Sequence, residues 1–164
     1  MHPPLDTRRT KLLQRAVQNK KETKKFLNAL SKRRDLDALF HPLHDEVFER
    51  HDCLQCANCC RTTSPIFRDV DIDRISKSLG VRPSRFTEQY LHMDGDGDWV
   101  LNQAPCPFLG EDLYCSIYDV RPKACRDYPH TDRKNVGQVM HLTYHNTMVC
   151  PAVAEMVERL KAIG

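Results

Sequence analysis

Apolar and polar positions along this chain recur mostly with the period of a helix. From Leu5 to Arg34 neither glycine nor proline intervenes and strong helix formers dominate. Leu12, Leu13, Ala16 and Val17 make one apolar patch; Phe26, Leu27 and Leu30 make a second beyond the polar run Gln18 to Lys25. The pattern predicts one long helix with two patches, or a helix pair broken near Asn19. Leu36, Leu39, Phe40, Leu43 and Val47 predict an amphipathic helix. Pro42 inside it has no N–H to donate, so a kink or restart is expected there. Val70, Ile72, Ile75 and Leu79 predict a helix that Gly80 closes in a left-handed cap. Pro83 opens the next, with Phe86, Tyr90 and Leu91 on one face, and Pro151 opens a last one carrying Val153, Met156, Val157 and Leu160. Strands are expected at Trp99-Val-Leu, entered by the turn Asp94-Gly-Asp-Gly-Asp, and at Met140 to Tyr144. Residues 106–130 read as loops with short elements, and there is no internal repeat. These stripes need no explanation beyond core packing.

The pattern implies an α+β fold, mainly helical and irregular. It has two parts: a basic helical N-terminal arm with the amphipathic helix (1–47), and a small cysteine-rich, metal-organised domain (48–164). Composition sharpens this. With 40% hydrophobic and 29% charged residues in 164, wholesale disorder is excluded but a large apolar core is not available. No apolar run reaches the ~18 residues a membrane span needs. The basic N-terminus is not followed by the apolar stretch of a secretory signal, so a cytoplasmic protein with reduced thiols is expected. Charge is unevenly spread: residues 1–35 hold eleven Lys/Arg against three Asp/Glu, and the rest fourteen against nineteen. The arm therefore reads as a solvated helix docked on an acidic body, or as a contact for an acidic partner or nucleic acid.

Eight cysteines carry the chemistry: Cys53, Cys56, Cys59, Cys60, Cys106, Cys115, Cys125 and Cys150. Two thiols at Cys-x-x-Cys spacing turn onto one ion through a tight loop, and four thiols within eight residues are a strong signal. Soft thiolates select zinc, Cu(I) or iron–sulfur chemistry over Mg or Ca. The eight match two four-cysteine zinc sites, or one cluster with four thiols left over. Cys59 and Cys60 are adjacent, so their side chains diverge and are expected to do different jobs. One would join the ion of Cys53 and Cys56; the other would serve a second site or pack as a buried thiol. Arg61, Arg121, Lys123 and Arg126 lie near the thiols in sequence and suit donation to sulfur. Pro107, Pro122, Pro129 and Pro151 stiffen the loops. The histidine pairs His41/His44 and His141/His145 read as structural or surface groups, with His51 and His130 nearest the thiols in sequence. The aspartates of 94–98 imitate a calcium loop, but Trp99 and Pro105 stand where such a loop needs glycine and glutamate. No nucleophile elbow, phosphate loop or paired-carboxylate signature is present.

These pieces resemble the YkgJ-type cysteine-cluster family of zinc- or iron-chelating domains. The resemblance rests on Cys53-x-x-Cys56-x-x-Cys59-Cys60-Arg61, Cys106-Pro-Phe-Leu109, Cys115-Ser-Ile-Tyr-Asp-Val-Arg-Pro122, Cys125-Arg126-Asp-Tyr-Pro129 and Cys150-Pro151, spanning roughly residues 48–160. Tyr128 stands where phenylalanine is common. The resemblance implies a metal-binding protein holding a zinc ion or an iron–sulfur cluster, in a structural or metal-handling role. Flagellin lysine methylases look like relatives in which a similar motif goes with an iron–sulfur cluster. That implies the alternative of an iron–sulfur enzyme component for redox or methyl transfer, although this chain is much shorter. The basic arm adds a third reading, a zinc-organised interaction domain contacting nucleic acid.

Overall fold

The computed structural model describes residues 2–164. In chain order the helices are α1 (Thr7–Gln18), α2 (Lys20–Leu30), α3 (Leu36–Phe48), α4 (Cys53–Cys56), α5 (Asn58–Thr62), α6 (Asp69–Leu79) and α7 (Pro83–Tyr90). Strands β1 (Leu91–Met93) and β2 (Trp99–Leu101) follow, then α8 (Lys123–Asp127), α9 (Met140–Asn146) and α10 (Pro151–Ile163). Tight 3₁₀ turns occupy Tyr118–Val120 and Val136–Val139. The fold is mainly helical α+β. It divides into two compact units. A helical unit comprises Pro3–Cys56 and Pro129–Gly164, and a sheet unit comprises Ala57–Tyr128 with His2.

In the helical unit, Asp6 caps α1 by accepting the Arg9 N–H at 2.9 Å. The break expected near Asn19 is present, and the Asn19 N–H closes α1 on the Arg15 carbonyl. α1 packs along α10, fastened by Arg8–Glu155 at 2.7 Å and by a two-pronged Arg15–Glu158 contact at 2.7 and 2.9 Å. This part of the basic arm is thus a docked helix. Leu27 of α2, Phe40 and Val47 of α3, and Val153 and Met156 of α10 form a buried core with Val136. Of the kink or restart expected at Pro42, the restart does not occur: α3 is continuous there, because Phe40, Leu43 and Val47 are buried on one face while Pro42 lies exposed on the other. One expectation fails outright. Met140 to Tyr144 is helix α9, not a strand. Its local β-formers are overridden because Met140, Thr143 and Thr147 are buried at helical spacing. The Thr143 and Thr147 hydroxyls satisfy themselves on the carbonyls of Val139 and Tyr144. Asp37 accepts the N–H groups of Asn135 and Val136 at 2.7 and 2.9 Å, tying the start of α3 to the next turn. Gly137 packs closely there: a Cβ would stand 2.9 Å from Leu36 Cδ1, so that leucine tip would have to shift.

In the sheet unit, Gly80 adopts φ +68° to end α6 and Pro83 starts α7, both as expected. β1 and β2 pair antiparallel with Leu91 opposite Leu101 and Met93 opposite Trp99. In the turn between them Asp94 Oδ1 accepts the N–H groups of Asp96 and Asp98, both at 2.9 Å. The core is aromatic. Phe86 lies 6.0 Å from Phe108 and 6.1 Å from Phe67, and Tyr90 sits 5.0 Å from Phe108.

Candidate metal centre

The boundary between units falls within the cysteine motif. Cys53 and Cys56 belong to the helical unit with Cys150; Cys59 and Cys60 belong to the sheet unit with Cys106, Cys115 and Cys125. None of the eight forms a disulfide.

In the sheet unit, Ala57 takes a left-handed conformation (φ +48°) and launches α5, which carries Cys59 and Cys60. The Cys106 N–H donates to the Cys60 carbonyl at 2.8 Å, so two segments far apart in sequence are locked side by side. Phe108 is 5% exposed in the aromatic core, which anchors the Cys-Pro-Phe-Leu segment beside Cys60. Leu109 bridges to Cys115, and the Ser116 N–H donates to the Phe108 carbonyl at 2.8 Å. Cys125 sits on α8. The electrostatics match this gathering. Burial, then the neighbouring Cys60, Cys106 and Cys115, pushes the Cys125 thiol up to about 12. Burial pushes Cys106 up to about 11, with Cys60 and Cys115 adding to it. Burial also raises Cys115, while the Arg121 guanidinium works the other way. A hydrogen bond from Cys59 lowers Cys60 to about 7. Cys60, Cys106, Cys115 and Cys125 therefore sense one another's charge.

In the helical unit, Cys53 and Cys56 stand at i and i+3 of α4, on one face of a single turn. Cys150 directly precedes α10, and burial, with Cys53 and Cys56 as neighbours, holds its thiol up at about 12. Among the described residues no three Cys, His, Asp or Glu side chains already converge tightly enough to hold an ion.

The supporting residues are partly those expected. Arg121 lies over the Tyr118 ring at 3.8 Å and favours the thiolates of Cys115 and Cys125. Lys123 pairs with Asp127 instead. Arg61, next to Cys60, has its Nε buried without a hydrogen-bond acceptor. The residues missed by sequence reasoning are Asp71 and Arg74 on α6. Asp71 is fully buried and accepts from Arg74 Nη2 at 2.7 Å and from the Lys123 N–H at 3.1 Å. Arg74 also donates to the carbonyls of Val120 (3.2 Å) and Arg121 (2.9 Å). Together they clamp the segment leading into Cys125. The only local trace was the spacing of Asp71 and Arg74 on a predicted helix, which ordinary surface ion pairs share. Three of the histidines have partners away from sulfur. His51 pairs with Glu155 at 2.8 Å, His44 contacts Thr131 Oγ1 at 2.8 Å, and His41 contacts the Arg133 carbonyl at 3.0 Å.

Residues 52–151 match the family model CxxCxxCC, "Putative zinc- or iron-chelating domain". That span is most of the chain. The protein belongs to this cysteine-cluster family and is a metal-binding protein of the zinc- or iron-chelating class. No match is found among curated proteins, nor among solved structures. No helix among the described residues is long and apolar enough to cross a membrane. The donor set fits such a metal. Sulfur dominates it, a backbone hydrogen bond holds Cys106 beside Cys60, and the acceptor-less Arg61 Nε next to Cys60 is a donor suited to a metal-bound thiolate.

Proposed function

We propose that this protein holds a zinc ion or an iron–sulfur cluster through cysteine thiolates, in a structural or metal-handling role within the cytoplasm. The observation that carries this reading is the 2.8 Å bond from the Cys106 N–H to the Cys60 carbonyl, in the same unit that holds Cys115 and Cys125. Cys60, Cys106, Cys115 and Cys125 would hold the metal. Cys53, Cys56 and Cys150 are the remaining ligands proposed, in the helical unit. Cys59 and Cys60 divide their labour: Cys60 ligates, while Cys59 donates a hydrogen bond to its sulfur. That bond favours the Cys60 thiolate and so supports ligation at neutral pH. Arg61 and Arg121 offset the negative charge that four thiolates bring into a half-buried place. When bound, such a metal supplies a crosslink between α5, the 106–115 loop and α8, or a transferable ion.

The test is metal analysis of anaerobically purified protein with its absorption spectrum. One equivalent or more of zinc without colour supports the zinc reading. A brown protein absorbing near ~400 nm, with iron and sulfide, supports a cluster and opens the enzymatic reading. Cys60→Ser and Cys106→Ser are expected to lose the same metal, and Cys59→Ser to keep most of it. Full retention in all three variants would overturn the assignment.

A further inference from the structure

Of the eleven cations in residues 1–35, Arg8, Arg9, Arg15 and Arg33 are consumed by carboxylates. The other seven have no ion-pair partner among the described residues and are exposed: Lys11 and Arg34 stand apart, while Lys20, Lys21, Lys24 and Lys25 lie on α2 with Lys32 just beyond it. At 100° per residue the four on α2 span an arc of about 140°. The one acid of α2, Glu22, lies off that arc and is held by Lys161 at 2.9 Å. The lysine face is therefore positive without internal compensation. Beside it α9 packs on α2, and Lys24 Nζ stands 5.8 Å from the centre of the half-exposed Tyr144 ring. The exposed His145 ring lies 5.1 Å from Tyr144.

We infer that this α2 face, with Tyr144 and His145 at its edge, binds the phosphate backbone of nucleic acid without sequence preference. α2 is about 16 Å long at 1.5 Å per residue, and one strand of a duplex presents about five phosphates over that length. The four lysines of the α2 face can engage four of them. A membrane surface is the poorer fit. A helix lying in a bilayer interface needs large apolar side chains beside its lysines. On α2 Leu27 is 1% exposed, and Phe26 and Leu30 pack on the core, so nothing is left to insert. The inference is independent of which metal the cysteines hold.

The experiment is a fluorescence-anisotropy titration of the full-length protein, as purified with its metal, against a labelled 20-base-pair DNA duplex and a 20-nucleotide RNA. The expected result is salt-dependent binding that weakens about 100-fold between 50 and 200 mM KCl, from four phosphate contacts at about −0.9 each in the log–log slope. The quadruple variant K20Q/K21Q/K24Q/K25Q should lose most of that slope while keeping wild-type circular dichroism and metal content. The control K77Q/R82Q, exposed on the sheet unit, should keep it. Equal loss per charge in the control would overturn the localisation to α2. Binding to phosphatidylserine vesicles but not to either nucleic acid would overturn the partner.

Discussion

At the scale of single residues, Asp71 is the most exacting position outside the cysteines. Burial pushes its carboxyl up, but Arg74 and the N–H groups of Arg68 and Lys123 outweigh burial and hold it below the usual carboxylate range. A folded-state value below the unfolded one means that the contribution is complete above the unfolded carboxylate value, about 4, and is lost as pH falls through the folded value. Asp71→Asn should therefore flatten the fall in unfolding free energy between about pH 5 and pH 3 seen in the parent. Asp71→Ala strands Arg74 and the Lys123 N–H, so a loss of about 3–5 kcal/mol is expected in urea titrations at pH 7. An unchanged urea midpoint would contradict the clamp. The same scale explains why Asp71 escaped sequence reading while Cys60 did not. A thiol advertises its chemistry by its type and spacing. A carboxylate acquires its role only from partners 3 and 52 residues away.

At the scale of elements, α3 keeps a proline that its own backbone does not favour. An interior proline costs roughly 3 kcal/mol, and the helix persists because Phe40, Leu43 and Val47 are buried in the core of the helical unit. Pro42 is exposed, so Pro42→Ala should create no cavity and restore the hydrogen bond to the Ala38 carbonyl. After allowing for the freer unfolded chain, a gain of about 2 kcal/mol is expected, or about 4–8 °C in Tm. Scanning calorimetry would read it, and a lower Tm would show that the ring itself packs usefully. The contrast with α9 is instructive. Both α3 and α9 depart from local expectation, and in each the burial period of the apolar face decided the outcome.

At the scale of the whole molecule, the two units rest on unequal cores. Among the described residues, thirteen buried side chains form the core of the helical unit and eight that of the sheet unit. Structural metal can contribute on the order of 10 kcal/mol to folding, and the smaller core depends on it more. Removing metal with a chelator at neutral pH should strip hydrogen-exchange protection from residues 57–128 first. The core around Phe40 and Val153 should keep more of its protection. Uniform loss over both units, or no loss at all, would contradict this order.

What the sequence determined by itself was whatever depends on residues a few positions apart. That includes the helical periods of α1 to α3, α6, α7 and α10, the stops and starts at Gly80, Pro83 and Pro151, and the cysteine spacing that marks the family. Tertiary structure alone decided the rest. It grouped residues 3–56 with 129–164 and divided the cysteine motif between units. It made Met140 to Tyr144 a helix, recruited Asp71 and Arg74 to the approach to Cys125, and left the α2 lysines without ion pairs among the described residues while committing Arg8 and Arg15 of α1 to α10. The physical reason is range. Backbone propensity and side-chain period act over about one helical turn, whereas Arg15 meets Glu158 and Asp71 meets Lys123 only after long loops close. Burial then selects which polar groups must be paired, and that selection leaves no periodic trace in the chain.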